Sequence, residues 1–224
     1  VLKIRNIASF KFESGGWDFA SVYKVFRRLL GMPDSKVKHE IIVPFQPQDE
    51  GDECVIACCV MVLNWARGKW GEGIPELSYD DVKALLKKDA DMDGLALNSP
   101  KLLNNCKALK KSKPRLQFLY SFSTGLTEII DEIGKGYPVI AWLHQIVDGK
   151  PRNHSILIVD LSDDKMSIKF LDPLGDSKIV SVPTPEFLEQ WGGTLNAQIR
   201  IHIPEDPLMY LPDYLENDSE DDKS

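Results

Sequence analysis

The chain has 224 residues, 43% of them apolar, and a formal charge of −7. That length supports one sizeable core, and no apolar run approaches the roughly 20 residues that span a bilayer. A net negative chain is not drawn to phosphate backbones, so neither membrane insertion nor nucleic-acid binding is expected, and the basic runs Lys87-Lys88 and Lys107 to Lys113 read as solvated helix faces.

In chain order, residues 1–40 read as an N-terminal helical extension, with Phe19, Val22, Phe26 and Leu29-Leu30 at helical spacing within Trp17 to Leu30. A main domain is expected over 41–212. It opens on a short strand at Ile41 that leads into a polar loop up to Glu53. An apolar helix then runs from about Cys54 to Ala66 and is stopped by Gly68. Further helices are expected from Ser78 to about Lys88, from the cap pair Ser99-Pro100, over Leu126 to Gly134, and from Thr184-Pro185. Strands are expected at Pro138 to Leu143, His154 to Leu161, Met166 to Leu171, Ile179 to Val182 and Asn196 to Ile203. Helices first and an antiparallel sheet afterwards make the fold class α+β. The acidic tail 213–224 reads as solvated and disordered.

Four cysteines in such a chain form no disulfide framework, because Cys58 and Cys59 are adjacent and Cys54 lies one helical turn before them. Reduced thiols and a cytoplasmic setting are the expectation. The N-terminus shows no signal-peptide pattern, but the chain opens on Val1 and that absence carries no weight. Cys54 is the cysteine with chemistry in prospect. It stands between the polar loop Gln48 to Glu53 and the apolar Val55-Ile56-Ala57, in the first turn of a helix, where free N–H groups and the helix dipole favour a thiolate. Cys58 and Cys59 fit a buried apolar role, and Cys106 reads as a structural mid-helix residue. The spacing Cys54-x3-Cys58-Cys59 matches no structural zinc pattern, and the histidines at 39, 144, 154 and 202 form no helical pair.

His154 and Asp172 supply a base and an acid. The strands 154–161 and 166–171 flank the turn signal Ser162-Asp163-Asp164-Lys165. A loop centred on Asp163 pairs Ile158 with Ile168, Ile156 with Phe170, and His154 with Asp172. One face is then apolar and ends in an imidazole beside a carboxylate, while Ser155 and Lys169 fall on a mixed face. A carboxylate beside His fixes its tautomer and favours the imidazolium that pairs with a thiolate. A buried His satisfied for structure alone would look the same. His144, at a strand end, has no acid placed to orient it.

These blocks together resemble the C39 peptidase family, a branch of the papain-like cysteine peptidases. Gln48-Asp49-Glu50-Gly51-Asp52-Glu53-Cys54-Val55-Ile56-Ala57-Cys58-Cys59-Val60-Met61 is similar to the family's Gln, spacer and Asp-Cys-Gly-x-Ala-Cys-x-x-Met pattern. Tyr137 to Trp142, His154 to Asp160, and Asp172-Pro173-Leu174-Gly175 follow in the family's order, and Glu186-Phe187 with Trp191-Gly192 echo its closing helix. The resemblance covers about residues 41–193. It implies a papain-like fold, with a helical half carrying the nucleophile packed on an antiparallel sheet carrying His and Asp. It implies Cys54, His154 and Asp172 as catalytic residues and Gln48 as the oxyanion-hole residue, with Gln46 the second choice. Glu53 stands where the family has Asp and Val55 where it has Gly, which bears on cleft width and substrate choice.

The activity implied is hydrolysis of a peptide or isopeptide bond in a protein or peptide substrate, through a thioester and without metal or organic cofactor. A papain-like acyltransferase or deamidase is the alternative, as is an inactive peptide-binding module; the intact set of four residues favours an enzyme.

Overall fold

The structure, a computed structural model, describes residues 41–49, 53–87, 95–147 and 150–204, all within the unit Ser35–Ser224. The expected helix at 17–30 and the acidic tail lie outside the described residues.

Helix α1, Cys54–Trp70, is buried along most of its length. Its apolar run leaves hardly any solvent face, so it lies inside the molecule rather than on it. It passes through Gly68 and ends where Gly71 takes a left-handed φ of 69°, a conformation that costs glycine little. Arg67 and Lys69 in its last turn complement the dipole there. Helix α2, Tyr79–Lys87, opens on a reciprocal cap. Ser78 N and Oγ donate to Asp81 Oδ2, and Asp81 N donates to Ser78 Oγ.

Helix α3, Leu95–Asn105, starts before the expected Ser99 cap and carries Pro100 inside it. Pro100 has no N–H for the carbonyl one turn back, yet the backbone before it is helical and Ser99 is buried rather than capping from the surface. Cys106 falls just past the end of α3, half-buried, and not in mid-helix. Helix α4, Leu126–Gly134, has the expected bounds. Helix α5, Thr184–Gly192, has Pro183 at its cap position, while Thr184 Oγ1 donates instead to Lys165 O at 2.8 Å.

Six strands form one antiparallel sheet. They are β1 Gln117–Ser121, β2 Val139–Val147, β3 Lys150–Leu161, β4 Ser167–Leu171, β5 Ile179–Pro183 and β6 Gln198–His202. Their order is β1-β6-β2-β3-β4-β5, so the last strand inserts between the first two. The sequence pattern does not predict strand β1, and the segment from Ile41, expected as a short strand, has no regular secondary structure and does not join the ladder. Strands β2 and β3 run beyond their apolar stretches, with His144 opposite Asn153 and Gln145 opposite Arg152. There the backbone ladder continues without a core to cover. Along the middle of β3, residues on both faces are buried, Ile156 and Ile158 on one and Ser155, Leu157 and Val159 on the other. Helices α1 and α4 both contact this strand.

The β3–β4 register differs from the expected one. Leu157 pairs with Leu171 and Ile158 with Phe170; after an irregularity at Val159, Asp160 pairs with Lys169 and Leu161 with Ile168. The cause is the turn. Asp164 Oδ1 accepts from Ser162 Oγ and Met166 N, Lys165 takes a φ of 60°, and Ser162 N closes onto Ser167 O. The loop is thus longer and displaced toward Met166, with an extra residue absorbed as a β-bulge. Near His154 the slip is an even number of residues, so the side-chain faces are unchanged.

Candidate active site

Cys54 is the first residue of α1, and its carbonyl-side neighbours are pulled into the core by Val55, Ile56 and Ala57. Cys54 is only 8% exposed, and its sulfur meets β3 directly. Ser155 N donates to Cys54 Sγ at 3.2 Å. Strand β4 ends at Leu171, opposite Leu157. Ser155 therefore lies beyond the paired stretch, and its N–H is satisfied by sulfur instead.

His154 and Asp172 come together, although not as directly opposed partners. His154 Nε2 lies 2.6 Å from Asp172 Oδ1. In the observed register Asp172 follows the last paired residue of β4, so His154 reaches it diagonally, within the span of a long side chain. The carboxylate is itself held, because Leu174 N donates to Oδ1 at 2.9 Å and Gly175 N closes a turn onto Asp172 O. With Nε2 engaged by Asp172, Nδ1 is the ring nitrogen left to act on Cys54, and imidazole and thiol shift each other's ionisation.

The electrostatics follow from this chain of contacts. Burial alone would push the Cys54 thiol up, but the His154 imidazole and the Ser155 N–H outweigh it and hold the thiol below its ordinary value. Burial alone would lower His154, yet the hydrogen bonds to Asp172 and Cys54 raise it to about 9. Asp172, despite burial that opposes ionisation, is lowered by His154 and by Leu174 N–H. Each partner favours the charged form of the next. By contrast, burial pushes Cys59 up to about 12 and Cys58 well above an ordinary thiol.

Gln48 is anchored through its backbone, with Gln48 N donating to Pro173 O at 3.1 Å. The loop before α1 is thereby tied to the residue that follows Asp172. Gln46, the second choice, turns its side-chain amide onto Pro47 O at 2.9 Å. His144 pairs with Asn153 Oδ1 at 3.2 Å, and His202 sits at the end of β6; His39 lies outside the described residues.

Two features escaped sequence reasoning. Ser155, on the mixed face of the hairpin, is fully buried and its backbone N–H meets the sulfur; its place directly after His154 is the available signal. Lys87, expected on a solvated face, pairs with buried Glu53. No cluster of His, Cys, Asp and Glu among the described residues could hold a metal ion. Nor is any helix among them long and apolar enough to cross a membrane.

Residues 40–199 match the model of the Peptidase_C39 like family. No curated protein sequence matches the chain. Among solved structures, a Bacillus anthracis protein described as a C39-like peptidase superposes with a TM-score of 0.50 at 14% identity, covering 71% of this chain and 94% of its own. A double glycine motif protease from an AMS/PCAT transporter, solved in complex with the leader peptide, superposes with a TM-score of 0.50 at 19% identity, covering 75% and 96%. The fold is therefore that of the C39 peptidases, α+β and papain-like.

Proposed function

Because this chain belongs to the Peptidase_C39 like family, we propose that it is a cysteine peptidase that cuts a peptide or isopeptide bond through Cys54, His154 and Asp172. The observation that carries the reading is the meeting of three groups: the Cys54 sulfur accepts from Ser155 N at 3.2 Å, one residue from His154, whose Nε2 lies 2.6 Å from Asp172 Oδ1. Each of these groups favours the charged form of the next, and a thiolate–imidazolium pair is the resting state this chemistry needs.

In the reaction the Cys54 thiolate adds to the carbonyl carbon, and the carbonyl π pair moves onto oxygen. Gln48 and the Cys54 backbone N–H donate to that oxyanion. Collapse expels the amine, which takes its proton from the His154 imidazolium, and leaves a thioester on Cys54. Neutral His154 then removes a proton from water, which attacks the thioester. The C–S bond breaks, and the thiolate is restored with a free carboxyl product. Asp172 holds the ring orientation through both steps.

The substrate is an extended peptide or protein segment, in keeping with the leader peptide bound by the transporter protease of similar fold. The catalytic unit spans residues 41–212, flanked by an extension at 1–40 and an acidic tail at 213–224, and it acts in the reducing cytoplasm.

A proteome digest with the unaltered chain should create new N-termini that Cys54→Ala does not create. Mass analysis of the products separates hydrolysis from amine transfer. Identical N-termini from both proteins would overturn the proposal.

A further inference from the structure

Glu53 directly precedes Cys54 and is fully buried. A residue at this cap position usually turns its side-chain oxygen onto the first helical N–H groups; Glu53 makes no such bond. Its carboxylate crosses to helix α2, where Lys83 Nζ lies 2.8 Å from Oε1, Lys87 Nζ reaches the same oxygen, and Tyr79 OH donates to Oε2 at 2.8 Å. Tyr79, Lys83 and Lys87 recur at four-residue spacing, so they form one stripe along α2. The Tyr79 hydroxyl also accepts from Asp49 N at 3.2 Å. One oxygen therefore ties the residue after Gln48 to the residue before Cys54.

We propose that this stripe is a positioning device for the nucleophile: Lys83 and Lys87 neutralise the Glu53 carboxylate beside Cys54, and Tyr79 fixes the Gln48 end of the loop relative to the Cys54 end. The proposal rests on the reading of Cys54 as the nucleophile. A bare carboxylate one residue from the sulfur would oppose thiolate formation by like-charge repulsion. A buried carboxylate stripped of its partners is also costly in itself. The titratable groups facing Glu53 are Tyr79, Lys83 and Lys87, with Cys54 next in the chain and Asp49 across the Tyr79 hydroxyl. Glu53 is held at about 2: burial opposes its ionisation, and the two lysines and Tyr79 overcome that.

The test is the rate of Cys54 alkylation by iodoacetamide against pH, read by mass spectrometry on the intact chain. Lys83→Met with Lys87→Met should move the Cys54 profile up by about one pH unit, a roughly tenfold lower rate at pH below the midpoint. Adding Glu53→Gln to that pair should bring the profile back, a restoration that a merely structural role does not give. Tyr79→Phe should leave the alkylation profile within about twofold of the unaltered chain while lowering kcat for peptide hydrolysis more than it raises KM. If the paired Met variant does not fold, Glu53→Gln alone decides. Removing the carboxylate beside the sulfur should move the profile down, and an unchanged or higher profile overturns the device. A Cys54 unreactive at every pH in the unaltered chain sinks the peptidase reading itself. A reactive Cys54 whose profile ignores the α2 lysines sinks only the device.

Discussion

Burial alone would drive both Cys54 and His154 toward neutrality, and hydrogen bonding drives both the other way. The outcome depends on which wins, and pH-dependent kinetics read it out. The thiolate–imidazolium form exists between the lowered value of Cys54 and the value of about 9 for His154. For free enzyme, kcat/KM should therefore rise through an acid limb below the ordinary thiol range and fall through an alkaline limb near 9. Asp172→Asn removes one of the two groups that raise His154, so the alkaline limb should move down from about 9 toward the ordinary imidazole value of about 6.5. An alkaline limb that stays in place in Asp172→Asn would show that the carboxylate does not govern the ring. Labelling offers a second check at the same scale. Limiting iodoacetamide should modify Cys54 first, because Cys58 and Cys59 are fully buried with raised thiols. Equal labelling of all three in the folded protein would contradict the charge distribution described here. The pairing of His154 with Asp172 was legible because side-chain parity survives an even slip in register. The contact between Ser155 N and sulfur was not, since a backbone donor leaves no trace in residue type.

Between elements, the sheet is bound to its helices by close approaches that a sequence barely marks. Gly73, in the turn after α1, accepts at its carbonyl from Lys113 N, and a Cβ there would lie 1.9 Å from Lys113 O. Gly73→Ala should lower stability by about 1–3 kcal/mol, the usual cost of overpacking, measured as a shift in the urea midpoint. An unshifted midpoint would mean the two segments separate freely. Within α1, Met61 is fully buried, and Met61→Ala should cost about 2–5 kcal/mol by the same measurement. Helix α4 was readable to its ends because a glycine pair follows an apolar face. Strand β1 was missed although buried Leu116 and Phe118 alternate around Gln117; its partner β6 lies far along the chain. The longer β2–β3 hairpin was hidden for a different reason. Pairing there is carried by backbone groups while the side chains, such as Arg152 and Asn153, are polar.

For the molecule as a whole, two buried ionisations make stability depend on pH in opposite directions. Glu53 has a folded value of about 2 against an ordinary 4.5, so its contribution is present above about 4.5 and fades as pH falls toward 2. His154 has a folded value of about 9 against 6.5. Its contribution is full below about 6.5 and is lost as pH rises through 9. Thermal melts should thus be highest between these limits. Glu53→Gln should flatten the acid side, and His154→Gln the alkaline side. An acid limb unaltered by Glu53→Gln would place the responsible carboxylate elsewhere. The α+β class was legible from the order of elements alone. The sheet order was not, because nothing local says that the last strand returns between β1 and β2.

Sulfur and imidazole sit on segments a hundred residues apart, and each shifts the other's ionisation toward the charged form. Pulling helix α1 off the sheet would return both to their free-peptide chemistry at once. The ultraviolet absorbance of the thiolate then becomes a built-in gauge of tertiary structure: between the lowered Cys54 value and the ordinary thiol range it should vanish in denaturant at the same midpoint as the far-ultraviolet dichroism.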